Sequence, residues 1–327
     1  MSSSAIFFPE RLSNGVEFMP QILCHFSSEE IGFSSICDTP LLPHQIRVTT
    51  HLARIRHGCD LSLPKTAGKE TFPHLFRSWG VAEIIEVGES VNRFSPGDRV
   101  YGPMYHADRQ VIDADSVLPV QNFSNRIEFS TFIDAGIAAL QGIHASGLRF
   151  GDRIAIWGMG TVGLMALQYA LMSGAREIIA VDPVDSRRNV AQKLGAHEIV
   201  SSWDDTLPPV DVALDFSGSS LALHQSFKAV RQRGTVIAGA DDYSFDTNDS
   251  LCVEFREREI SFLSIKEKPL SYDLQDRVQY SIVTKRVVVW PIISHLISFT
   301  QIPALIPQIK KNLNDYIQVL VTYDSTS

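Results

Sequence analysis

The chain has 327 residues, enough for two domains rather than one. A hydrophobic fraction of 44% can fill ordinary cores, while a net charge of −8 argues against nucleic acid or an anionic membrane surface as partner. Four cysteines, Cys24, Cys37, Cys59 and Cys252, stand far apart without a C-x-x-C pair, which excludes a four-cysteine zinc lobe and a disulfide framework.

Met1 to Glu10 shows neither a basic segment nor a long apolar core, so no signal peptide is expected there. Residues 1–149 carry short β-branched runs, Gln45–Thr50, Ala82–Val87 and Arg99–Tyr101, divided by Pro, Gly and Asp turns. That pattern predicts a mainly β domain. From 150 to 290 the pattern changes to alternating strand and helix, as a parallel sheet covered on both faces requires. Predicted strands are Arg153–Trp157, Glu177–Val181, Val210–Leu214, Thr235–Ala238 and Ile260–Ser264. Predicted helices are Leu164–Met172, Ser186–Leu194, Leu221–Val230 and Leu274–Thr284, with glycines at 174, 195, 218 and 234 where helices end or loops turn. The tail, 291–327, ends in the strand-like Ile317–Tyr323 and is expected to rejoin the first domain. No apolar run of membrane-spanning length is legible, and the cytoplasm is the expected location.

The first predicted strand of the second block runs into Gly158-Met-Gly160-Thr161-Val162-Gly163, and a helix-period run leaves it. Three glycines in G-x-G-x-x-G spacing between a strand and a helix, with Asp182 at the end of the next strand, predict a dinucleotide site. Gly158 would permit the tight turn, Gly160 close approach of the backbone to a pyrophosphate, and Gly163 close packing of helix on strand. The pyrophosphate would rest on free N–H groups at the helix start. A carboxylate at Asp182 accepts hydrogen bonds from both ribose hydroxyls and repels a 2′-phosphate, so NAD(H) is favoured over NADP(H). Arg187 and Arg188 follow in the next loop, where arginines pair with a phosphate, cover the adenine or remain solvated. Ser217 is the remaining cofactor candidate. Trp157 and Met159 read as packing around the turn.

These segments carry a family resemblance. Val81-Ala-Glu-Ile-Ile-Glu-Val-Gly-Glu-Ser-Val-Asn-Arg-Phe-Ser-Pro-Gly-Asp-Arg-Val-Tyr101 resembles the segment that precedes the cofactor domain in the medium-chain dehydrogenase/reductase superfamily, zinc alcohol dehydrogenase type. Phe150 to Gly163, Ser173 to Asp182, Lys193 to His197, Val210 to Ser219 and Arg233 to Gly239 follow in that family's order. The resemblance implies an α/β chain: a GroES-like mainly β catalytic domain over 1–149, completed by 291–327, and a Rossmann doubly wound parallel-sheet domain over 150–290. It implies hydride transfer between a nicotinamide and a carbon bearing a hydroxyl or carbonyl, in a homodimer.

The chain departs from the zinc pattern of Cys-Gly-Thr-Asp, Gly-His-Glu and a later Cys. Aligned on Asp60, His57-Gly-Cys59-Asp60 stands over the first motif; aligned on Gly88, Ser78-Trp79 stands over His-Glu; counted back from Gly151, Asp134 stands over the last Cys. Serine is a poor zinc ligand and tryptophan is none, so no catalytic zinc is expected, unless a shift of a few positions recruits His74, Cys59 or His144. In its place, His57 would exchange the substrate proton and Asp134 would orient its imidazole, with Cys59 or Ser78 hydrogen-bonding the same oxygen. Asp134 reads equally as the cap of a helix starting there. His106, in His106-Ala-Asp-Arg109, is a further catalytic candidate; the alternative ties it and Arg109 to Asp108 or Asp113. His25, His44, His51 and His224 read as surface or packing residues, and the acidic run from Asp241 as a solvated loop. The favoured function is a zinc-independent, NAD-dependent oxidoreductase acting on a small-molecule secondary alcohol or ketone such as a cyclitol, sugar or biosynthetic intermediate. An enoyl (C=C) reductase and a non-catalytic dinucleotide-binding sensor are the alternatives.

Overall fold

β-Branched and aromatic residues at alternating positions build the first part of the chain into antiparallel strands. The computed structural model describes residues 20–27, 29–37, 39–56, 65–66, 69–70, 72–120, 127–203, 206–240, 255–265 and 272–323. The chain divides into two units at Thr131/Phe132, with His295–Asn312 and the segment from Val319 returning to the first.

In the first unit, β1 (Gln21–His25) pairs antiparallel with β2 (Ile31–Ser35). The eleven-residue β3 (Gln45–Ile55) organises the main sheet. A short β4 (His74–Leu75) pairs with β1, and β5 (Arg77–Val87) runs antiparallel along one edge of β3. Next come β6 (Arg99–Tyr105) beside β5, β7 (Arg109–Asp113) beside the first half of β3, and β8 (Leu118–Pro119) beside β6. Ile46, Val48, Ala82, Ile84, Val100 and Met104 point inward from neighbouring strands, with Ile112 and Val117, to form the core. Each such Ile, Val or Met side chain, fully buried, is worth about 1.5–3 kcal/mol.

Several histidines of this unit are tied by strand pairing, which spacing along the sequence does not reveal. His44 lies 3.3 Å from Asp113 and His51 3.4 Å from Glu83. His25 is buried, stacks on Phe76 at 4.3 Å and stands opposite His74 across the β1–β4 ladder. Burial first, then the charge of Lys310, hold its pKa down at about 4 against a backbone hydrogen bond to Ser27 that acts the other way. His74 is lowered too, by burial and by Arg77. A histidine whose folded pKa lies below its unfolded value binds its proton more readily in the unfolded chain. Stability is therefore complete above pH 6.5 and is lost as pH falls through that value towards about 4. His25→Phe should flatten the dependence of the urea midpoint on pH in that window, and an unchanged slope would remove His25 as its source.

The second unit opens with α1 (Ile133–Ser146), which the sequence-derived boundary at 149/150 assigns to the first domain. Its glycines explain the difference, because Gly136 lies against Val278 and Met165 and Gly142 against Phe216, all in the second unit. β9 (Arg153–Trp157), α2 (Thr161–Met172), β10 (Glu177–Val181), α3 (Asp185–Lys193) and β11 (Glu198–Val200) follow. Then come β12 (Val210–Asp215), α4 (Ser220–Ala229), β13 (Val230–Ala238), β14 (Ser261–Ser264) and α5 (Tyr272–Val283). The strands are all parallel in the order β11-β10-β9-β12-β13-β14, the doubly wound order of a Rossmann domain. Strand β11 has no counterpart in the sequence-based reading; at three residues it is too short to show a period.

The end of the chain forms β15 (Ile293–Ser298), α6 (Ile302–Lys311) and β16 (Gln318–Thr322). β16 pairs antiparallel with the second half of β3, Val319 with Ile55 through Thr322 with Leu52, so this strand joins the first sheet, whereas residues up to Ser294 and Leu313–Gln318 belong to the second unit. No described helix is long and apolar enough to cross a membrane.

Candidate dinucleotide site

The glycine loop joins β9 to α2. Gly158 has φ 88°, a left-handed conformation, and a side chain there would meet the backbone of Ser217 at 2.7 Å. Gly163 is held closer still: its Cβ would lie 1.8 Å from the carbonyl oxygen of Gly158. Gly160 is the opposite case, since a Cβ there would meet nothing within 4 Å. The three glycines thus serve turn, packing and open approach separately. At the start of α2 the first N–H groups lack intrahelical partners and carry the positive end of the helix dipole. An open face at Gly160 beside such a helix start is a cradle that fits a dinucleotide pyrophosphate.

Asp182 stands immediately after β10 and is 1% exposed. One carboxylate oxygen accepts the Met159 N–H at 2.7 Å, and the other accepts the Val184 N–H at 2.8 Å. The acid that reads the ribose in the sequence-based argument therefore also braces the glycine loop. The arginines read as loop residues lie instead in the first turns of α3 and face inward. Arg187 lies 3.8 Å from the Asp182 carboxylate and donates to the Tyr316 carbonyl at 3.3 Å. Arg188 donates to the Asp182 carbonyl at 2.6 Å and pairs with Asp185. Ser217 lies beside Gly158; its N–H donates to Asp215 at 2.8 Å and its hydroxyl accepts from Ser219 N–H at 3.0 Å. Trp157 and Met159 are buried packing residues.

A contribution without local sequence signal comes from residues 314–318. Ser186 donates to the Asn314 carbonyl at 2.7 Å, Arg187 to Tyr316, and the Thr161 hydroxyl to Gln318 Oε1 at 2.8 Å. These partners are separated from the loop by more than a hundred residues, beyond the reach of any motif.

The catalytic candidates fall differently. His57 and Cys59, and the acidic run from Asp241, lie outside the described residues. Ser78, in β5, is 2% exposed and donates its proton to the Arg54 carbonyl at 2.6 Å. Trp79 packs its ring against Tyr101 at 5.5 Å. Neither offers a zinc ligand, and among the described residues no three His, Cys, Asp or Glu side chains converge to hold a metal ion. Asp134 is buried in the first turn of α1, which begins at Ile133 and is flanked by Phe132, so it is not the cap residue. His106, in the turn between β6 and β7, is 1% exposed and hydrogen-bonds the Tyr323 hydroxyl through Nδ1 at 2.6 Å. Asp108 accepts from the Gln21 N–H at 2.9 Å, and burial raises its pKa.

A doubly wound parallel sheet with this glycine loop is the arrangement in which Rossmann domains hold a dinucleotide. Residues 161–265 match the family model for zinc-binding dehydrogenases. The chain is 26% identical to D-guloside 3-dehydrogenase of Escherichia coli K12 over 212 residues, 58% of each chain. It spans about half the length of the curated relatives it matches. A zinc-binding dehydrogenase of Sinorhizobium meliloti bound to NADP shares the fold, with TM-score 0.75, 18% identity and coverage of 94% of this chain and 100% of that one. So does a short chain alcohol dehydrogenase of Escherichia coli CFT073 complexed with NADH, with TM-score 0.77, 15% identity and coverage of 93% and 99%. Over residues 161–265 the chain is thus similar to the zinc-binding dehydrogenases, and its fold is shared with solved dehydrogenases.

Proposed function

We propose that the protein is an NAD-dependent oxidoreductase that interconverts a secondary alcohol and its ketone, on a cyclitol, sugar or biosynthetic intermediate, without catalytic zinc. The observation that carries the reading is the pairing of an open approach at Gly160 with the buried carboxylate of Asp182 at the end of β10. Its single negative charge suits the two hydroxyls of an unphosphorylated ribose and opposes a 2′-phosphate. The relatives' activities on alcohol carbons agree with this class of substrate. A bound nicotinamide would supply or accept the hydride. The chain's own residues must then hold the pyrophosphate at α2, fix the ribose at Asp182, and exchange the hydroxyl proton.

Ser78 and Trp79 support the zinc-free reading, because one spends its hydroxyl proton on a backbone carbonyl and the other has no ligating atom. His57 is proposed as the proton-exchanging group and Asp134 as the carboxylate that orients it, a form of general acid–base catalysis worth about 10²–10⁴-fold. The test is elemental analysis of the purified protein together with NADH and NADPH titration. The expected result is no zinc, tighter binding of NADH than NADPH, and a loss of at least about 10²-fold in kcat for His57→Ala. One zinc per chain would overturn the metal-free mechanism, and preference for NADPH would overturn the reading of Asp182.

A further inference from the structure

We infer that Gln318 is a positioning residue for the dinucleotide pyrophosphate, acting through the hydroxyl of Thr161. The inference rests on the dinucleotide reading of the glycine loop and goes beyond it to a residue far outside the motif. Thr161 is the first residue of α2, directly after the open Gly160, so its hydroxyl stands at the place where an anion meets the helix start. A hydroxyl has one proton to donate, and an anion can only accept. In the structure that proton is already spent: Thr161 Oγ1 donates to Gln318 Oε1 at 2.8 Å. Thr161 is 9% exposed and Gln318 2% exposed, so water competes poorly for the pair.

A glutamine is suited to releasing this proton because its amide both accepts and donates. With the amide reversed, Nε2–H donates to Thr161 Oγ1, and the hydroxyl proton is free to point to the pyrophosphate. Glutamate could keep the first arrangement but not adopt the second. The position of Gln318 is fixed from its backbone. Ser294 Oγ donates to its carbonyl at 3.0 Å and accepts from the neighbouring Ile317 N–H at 3.1 Å. The same segment reaches α3 through the Asn314 and Tyr316 carbonyls, which hold Ser186 and Arg187 beside Asp182. One short stretch of chain thus supports the pyrophosphate end and the ribose end of the same seat.

The test is a double-substitution cycle on the full chain, read by fluorescence titration with NADH, ADP-ribose and adenosine and by thermal unfolding without ligand. Gln318→Glu is expected to weaken NADH and ADP-ribose about tenfold or more, the scale of one hydrogen bond to a charged group, and to leave adenosine unchanged. In a Thr161→Val background the same substitution should weaken ADP-ribose by much less, because the hydroxyl it acts through is gone. Gln318→Met, which removes the acceptor and leaves the hydroxyl proton free for the anion, should weaken ADP-ribose less than Gln318→Glu does. Equal losses of ADP-ribose and adenosine, or full additivity with Thr161→Val, would reduce Gln318 to a structural role. An affinity for ADP-ribose unchanged in Gln318→Glu would overturn the inference. Wild-type protein that binds none of the three ligands would instead overturn the dinucleotide reading itself.

Discussion

Gly160→Val is expected to abolish dinucleotide binding while leaving the protein folded. The backbone at Gly160 has φ −75° and ψ −170°, which any residue adopts, and a Cβ there meets no atom within 4 Å. The added Cβ meets no protein atom and only the weaker N-cap preference of valine opposes the change, so the loss of stability should stay near ~1 kcal/mol. The branched side chain would stand in the open approach to the loop and hold a pyrophosphate away from the N–H groups of α2. An NADH affinity lowered about a hundredfold or more is expected, equivalent to roughly 3 kcal/mol. Gly160→Ala should show a smaller loss in the same direction. Gly163→Ala provides the contrast. Its methyl group would be driven to 1.8 Å from the Gly158 carbonyl oxygen, and overpacking of this kind costs about 1–3 kcal/mol or more in stability. Fluorescence titration and thermal unfolding on the three variants separate a steric block in the ligand's space from one in the protein's own. A Gly160→Val protein that binds NADH as wild type does would show that the ligand does not approach over this glycine.

Asp182→Ala is expected to damage fold and ligand binding together. The substitution leaves the buried N–H groups of Met159 and Val184 without their acceptors and removes the carboxylate beside Arg187. Each unsatisfied buried donor costs about 1–3 kcal/mol, and entering water recovers part of it, so a net loss of about 2–4 kcal/mol is expected. For a unit of this size that corresponds to roughly 5–15 °C in melting temperature. NADH affinity should fall by about tenfold or more from the lost ribose contacts alone. Asp182→Asn should not rescue stability fully. Its amide presents one acceptor and one donor where the loop supplies two donors, so one N–H faces an NH₂ group. Differential scanning fluorimetry without ligand is the deciding measurement, and an unchanged transition in Asp182→Ala would mean that the brace on the glycine loop is not formed.

Much of the nucleotide unit is legible in the sequence because its signals are local. Strands Arg153–Trp157 and Glu177–Val181 are continuous apolar runs of the kind a doubly covered sheet requires, and they appear with the expected bounds. The glycine loop and Asp182 are legible for the same reason. What is not legible depends on contacts made across the sequence. α1 reads as part of the first domain because it precedes the fingerprint, yet Gly136 and Gly142 seat it on the second unit. Arg187 and Arg188 read as free to meet a phosphate or solvent, and are tied to Asp182, Tyr316 and Asp185 instead. His106 reads as a catalytic candidate from its neighbourhood in the sequence, but it hydrogen-bonds Tyr323, 217 positions away. Spacing names the residue types a site needs, whereas a partner supplied by a distant strand leaves no trace in spacing.

The pairing of β16 with β3 also sets an order on synthesis. Residues 52–55 of β3 find their partners at 319–322, so this edge of the first sheet stays unpaired until almost the whole described chain has left the ribosome. At about 5–20 residues per second the delay is on the order of tens of seconds. The parallel sheet of the second unit has no such wait, since its last strand ends at Ser264. That sheet can therefore form before residues 313–318 join its unit, while the first unit still presents a bare strand edge with the apolar side chains of Leu52, Ala53 and Ile55. During that interval the nascent first unit is the part of the molecule most exposed to aggregation and to capture by chaperones.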